Sequence, residues 1–139
     1  MAITQTMTDT CKEDLLTGDV DFDADTFKIA LFTSDATLNA STTAYADSNQ
    51  VSSTNYTAGG VALTGATVSV SDNIAFVDFA DATWSNVTFT ARGALIYNTS
   101  NSNASIAVLD FGSDKTVTNG TFTVTFPAAS ATTALIRIE

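Results

Sequence analysis

Residues 61–79 read VALTGATVSVSDNIAFVDF, two apolar and β-branched runs separated by Ser71-Asp72-Asn73. Strand formers on both sides of a short Asp-Asn break are the signature of a hairpin, Val61–Val70 against Ile74–Phe79. The same pattern continues downstream in Val87–Tyr97, Ile106–Phe111, Thr121–Phe126 and Ala134–Ile138, each bounded by Asn, Ser, Gly or Pro. Alternation is clear in Phe122/Val124/Phe126 and in Ala134/Ile136/Ile138. Upstream, TFKIALFT (26–33) puts Phe27, Ile29 and Leu31 on one face of a strand, with Ala30 and Phe32 on the other, so both faces are partly buried. Short strands at this spacing, with no helices between them, predict a mainly β fold: an antiparallel β-sandwich or a barrel-like closure. No repeat of solenoid or propeller length is visible.

One short N-terminal helix completes the reading. Over residues 4–17, Met7, Cys11, Leu15 and Leu16 form a narrow apolar stripe, with Thr4 as N-cap and Gly18 as the C-cap glycine. The segment 19–25, Asp-Val-Asp-Phe-Asp-Ala-Asp, follows as an acidic extended connector. Residues 34–60 are rich in Ser, Thr, Ala, Asn and Asp, with little periodicity, and end in YTAGG (56–60). Loops of this length usually carry a function. The whole chain, 1–139, reads as a single β domain, with 1–18 as an amphipathic helix and 34–60 as a long loop excursion.

Composition limits the chemistry. The chain has no histidine, one cysteine, five Lys and Arg, and a formal net charge of −10. Acid/base and nucleophilic catalysis lean on imidazole, thiolate or an activated lysine, so an enzyme is not expected. Lys12, Lys28, Arg92, Lys115 and Arg137 are scattered singly, where a phosphate backbone demands clustered cations, so no nucleic-acid partner is expected. No apolar run approaches the roughly 20 residues that span a bilayer. The opening Met1–Gln5 has neither a basic n-region nor an apolar h-region, and a lone Cys11 forms no intrachain disulfide. Charged residues make up 14%, against the roughly 25% of an average domain, which suits a surface occupied by neighbours.

The candidate sites have plain structural alternatives. Asp19, Asp21, Asp23 and Asp25 would share one face of an extended segment and are the sharpest cation candidate. An EF-hand, however, needs glycine at its sixth position and glutamate at its twelfth, and counting from Asp19 those are Ala24 and Ala30. A solvated connector is the expectation, and no metal or cofactor is assigned. Asp78 and Asp110 interrupt apolar strands, and Arg92 is placed to pair with one of them. Trp84, Phe89 and Tyr97 could line a ligand groove, though aromatics beside strands more often anchor a core or an interface. Cys11 reads as a small buried hydrophobe. Six Asn-X-Ser/Thr sequons, at Asn39, Asn55, Asn86, Asn98, Asn103 and Asn119, follow from a composition rich in those residues. No catalytic, cofactor-binding or metal residue is assigned.

TFKIALFTSDATLNASTTAY (26–45), YTAGG (56–60), TARGALIYN (90–98), VLDFGSDK (108–115), FTVTFPA (122–128) and ALIRIE (134–139) together resemble a family of small virion structural proteins of tailed bacteriophages. The likeness spans nearly the whole chain. It implies a non-enzymatic capsid decoration (cement) protein that binds the major capsid protein on the capsid surface of the virion. Such a protein is assembled in the host cytoplasm and is a homo-oligomer, with a trimer favoured by lattice symmetry. A tail or head–tail joining component is the alternative within that family, and a carbohydrate- or receptor-binding β module is the alternative outside it. The helix 4–17 and the loop 34–60, with Tyr45 and Tyr56, are the expected contact elements.

Overall fold

The computed structural model describes residues 2–139. Along the chain run β1 (Thr6–Met7), α1 (Asp9–Thr17), β2 (Phe27–Phe32), β3 (Val61–Ala62), β4 (Thr67–Ser71), β5 (Ile74–Asp78), β6 (Ala82–Asn98), β7 (Ala104–Val124) and β8 (Ile136–Ile138). They form two sheets, ordered β1-β7-β6-β2-β3 and β4-β5-β8, in which every pair of neighbours is antiparallel. The arrangement is an open sandwich and not a closed barrel, because β1, β3, β4 and β8 each end a sheet without a further neighbour.

The larger sheet is built on the β6–β7 hairpin, with β2 against β6 in the register Ile29↔Ile96 and Leu31↔Ala94. Side chains alternate across it, and both faces are covered around β2 and the neighbouring parts of β6 and β7. Phe27, Ile29, Leu31, Ala94, Ile96 and Ile106 face the smaller sheet, where Val77, Phe79 and Ile136 close the main core. On the opposite face, Ala30, Phe32, Leu95, Tyr97 and Val108 pack against Ile3, Ala36 and Leu38. The two-sided pattern of TFKIALFT is therefore real: all of Ile29, Ala30, Leu31 and Phe32 are at most 1% exposed. Each such large side chain removed from water stabilises the fold by roughly 1.5–3 kcal/mol.

The hairpin β4–β5 turns through Asp72 (φ 52°) and Asn73 (φ 65°), two consecutive left-handed residues of the type I′ kind that matches strand twist. The predicted strand Val61–Val70 is split. Leu63 is buried and its N–H donates to Phe27 O, which ties β3 to the larger sheet before the chain crosses to β4 in the smaller one. Strand β6 starts earlier than expected, at Ala82. Strand β7 runs through GSDKTVTNG (112–120), where polar residues face water and Thr90 and Thr116 hydroxyls meet at 2.9 Å.

The N-terminus corrects the sequence reading. The helix spans Asp9–Thr17, and residues 4–7 are extended: Thr4 N–H donates to Leu38 O, and β1 pairs with β7. Thr8, not Thr4, is the N-cap. It is fully buried, its Oγ1 accepts from Cys11 N–H at 3.2 Å, and Ser105 Oγ donates to it at 2.9 Å. Gly18 does close the helix in the left-handed conformation (φ 80°). On the helix, Cys11 is buried and Leu15 half-buried, but Leu16 is 90% exposed, so the apolar stripe is narrower than expected.

Candidate interaction surface

The acidic connector is a turn, not an extended segment. Asp21 Oδ1 accepts from Asp23 N–H (2.9 Å), and Asp25 Oδ2 accepts from Asp21 N–H (3.0 Å) and from Asn98 Nδ2 (2.7 Å). Asp19 Oδ2 accepts from Thr17 Oγ1 at 2.8 Å. The carboxylates of Asp19, Asp21 and Asp25 are thus taken up by the turn, by Thr17 and by Asn98. Among the described residues, no three His, Cys, Asp or Glu side chains come together as a metal-ligand set. Val20 and Phe22, the apolar residues between them, are buried in the core.

Arg92 pairs with Asp110, its Nε donating to Oδ1 at 3.1 Å. The Gly112 N–H donates to the same oxygen at 2.9 Å, and these two donors hold the Asp110 carboxyl below its ordinary range. Asp78 stands apart from that pair. It is buried, and its Oδ1 accepts from Phe79 N–H at 3.0 Å. Burial pushes its pKa up, the Phe79 hydrogen bond pulls it down, and nearby Asp81 raises it further.

That shift has a sign in stability. The folded chain holds the Asp78 proton more tightly than the unfolded chain does. Stability from this group is therefore full below the unfolded value near 3.8 and falls as pH rises through the raised folded value. Asp78→Asn, which keeps an oxygen for Phe79 N–H, should melt slightly higher than the parent at pH 7, with the gap closing below the carboxylate range. Melting curves from pH 3 to pH 7 check this; a variant that melts lower at pH 7 would contradict it.

The aromatic candidates lie inside. Trp84, Phe89 and Tyr97 are 3%, 7% and 2% exposed. Trp84 stacks on Tyr56 with centroids 6.2 Å apart, and its buried Nε1 has no hydrogen-bond partner. Every Phe, Tyr and Trp side chain of the protein is buried or half-buried. No aromatic platform for stacking a ligand is presented.

Tyr45 and Tyr56, the loop aromatics expected to be available for burial, are engaged within the chain. Tyr45 stacks on Tyr97 at 4.6 Å, and both Tyr45 and Tyr56 hydroxyls donate to Gln50 Oε1 (3.3 and 3.1 Å). Gly59 N–H donates to the same oxygen (2.8 Å), Tyr56 Oη accepts from Leu31 N–H (2.9 Å), and Tyr97 Oη donates to Gly59 O (2.6 Å). Burial pushes the Tyr97 phenol up to about 12. The network ties the loop to both sides of the larger sheet, with Tyr56 in the main core and Tyr45 stacked on Tyr97 on the outer face. A lone Gln in a polar stretch gave no sequence signal for it.

Cys11 is a buried thiol whose pKa burial, reinforced by Asp14, pushes up to about 12, so it stays protonated and unreactive at neutral pH. The open side of the sandwich holds a cleft of about 410 Å³ lined by Met7, Leu109, Phe111, Phe126, Leu135 and Arg137 among others. No carboxylate lines it, and Arg137 is occupied by Ala131 O and Glu139. The cleft offers no pair of groups for acid/base work.

The large apolar side chains left in water are few: Leu16 (90% exposed), Val70 (72%), Ile138 (49%) and Val68 (46%). The registers Val70↔Ala75↔Ile138 and Val68↔Val77↔Ile136 put the last three on one face of the smaller sheet. Leu15, Phe22, Val68, Phe76 and Ile138 line a shallow apolar hollow of about 120 Å³ between that sheet and the helix region. Among the described residues, no helix is long and apolar enough to cross a membrane. No protein-family model, no curated protein and no solved structure matches this chain.

Proposed function

We propose that this protein is a non-enzymatic virion structural protein, a capsid decoration protein that binds and stabilises the major capsid lattice of a tailed phage. The resemblance of residues 26–45, 56–60, 90–98 and 108–115 to that family supplies the assignment. The observation that carries it is the division of the surface. The aromatic side chains are used internally, while the exposed large apolar side chains lie on α1 and on the smaller sheet. Such a surface favours protein association over small-molecule chemistry.

Binding to the assembled shell, and not to free capsid subunits, stabilises the shell by mass action, and repetition over the lattice lets each copy use a modest contact. The contact is assigned to α1, centred on Leu16, with the polar outer rim of loop 34–60 beside it. Leu16→Glu should lower binding to mature shells at least tenfold in a co-sedimentation titration. Its melting temperature should stay within about 2 °C of the parent, since exposed surface sites rarely matter to folding. Unchanged binding by a folded Leu16→Glu protein would remove α1 from the contact.

A further inference from the structure

We propose that the free edge of β4 is a self-pairing site, where a second copy of this chain adds its own β4 antiparallel about Ser69. In a two-residue hairpin the residues flanking the turn exchange both backbone hydrogen bonds, and the alternation continues from there. Ser71↔Ile74 flank the Asp72-Asn73 turn, so Ser71, Ser69 and Thr67 bond to β5. Val68 and Val70 therefore aim their N–H and C=O groups outward, along an edge that no other strand covers. Neither residue has a backbone hydrogen bond elsewhere among the described residues.

The sequence Thr67-Val-Ser-Val-Ser71 fits itself. With the two-fold axis at Ser69, Val68 lies opposite the second copy's Val70, and Val70 opposite its Val68. Both are positions of outward-facing backbone, so the two copies exchange four hydrogen bonds. The partly exposed Val68 and Val70 side chains of each copy meet on one face of a continuous six-stranded sheet, extended by Ala75 and Ile138. Moving the axis by one residue loses half of this, because Val68 or Val70 then faces Ala66 or Asp72, outside the strand.

Charge selects the occupant. Residues 60–71 carry no charged side chain in a chain of net charge −10, and none of the Lys, Pro or bulge devices that normally block an edge. In the Ser69-centred register Asp72 lies across from Ala66 of the second copy, so no two acids are opposed. A basic partner has nothing to recognise along this edge, whereas a second neutral edge matches it. This contact is two-fold, so it differs from the three-fold clustering that lattice symmetry suggests, and it does not depend on the virion assignment.

Analytical ultracentrifugation of the purified full chain tests it. The expected result is a species of twice the 14.5 kDa chain mass, favoured by added salt because like charges repel. Val70→Lys should convert it to monomer with its melting curve kept, since that side chain is largely exposed. Val70→Pro, which removes only an outward N–H, should do the same. Hydrogen exchange on the parent, which needs no variant, should show the Val68 and Val70 amides protected at high concentration and exposed on dilution. A monomer at all concentrations, or an oligomer that Val70→Lys leaves intact with both amides unprotected, would overturn the proposal.

Discussion

Gly60→Ala is expected to cost at least about 3 kcal/mol or to yield no folded protein. Gly60 sits at φ +81°, and a Cβ built there would run into the backbone carbonyl of Ile29 and approach Ala30 Cα to 2.8 Å. The obstacle is main chain of a central strand, which cannot swing aside as a side chain would. Close approach at this point also delivers Gly59, whose N–H and C=O join the Gln50 and Tyr97 contacts that hold the loop. Equilibrium urea denaturation measures the cost. A Gly60→Ala protein with the parent's midpoint would show that the chain does not pass so near Ile29.

Phe27→Ala should destabilise the fold by about 3–5 kcal/mol, as large-to-small core changes of this kind do. Phe27 is 2% exposed, stacked on Phe22 at 5.1 Å and tilted against Phe79 at 5.6 Å. The ring thus joins three separate pieces: β2, the acidic turn, and the residue that follows β5. Phe27→Leu, which keeps most of the volume, should cost under about 1.5 kcal/mol. Equal midpoints for the Ala and Leu variants would contradict this packing.

The strand grammar was legible because β-sheet side chains alternate and turns need particular residues. Ser71-Asp72-Asn73 marked a real hairpin, TFKIALFT a strand buried on both faces, Gly18 a real C-cap, and Arg92 an ion pair with Asp110. What was not legible depends on tertiary contacts. Thr8 outcompetes Thr4 as N-cap because Ser105 lies beneath it, and Ile3–Met7 stays extended because Leu38 and β7 accept it. Ser85, Asn86 and the polar 112–120 stretch read as punctuation, yet they lie on a ribbon whose outer face is wet. The four aspartates of 19–25 alternate like a strand, but the side chains of Asp21 and Asp25 bond the backbone and bend it. The outward backbone of Val68 and Val70 follows from the turn type, a feature that only the observed φ values define.

Cryo-electron microscopy of purified virions containing this chain tests the proposed place on a capsid. Density for the β-sandwich is expected in a regular array over the shell, hundreds of copies per particle, with α1 turned toward the capsid protein. Copies confined to the neck or tail, or their absence from the particle, would contradict it.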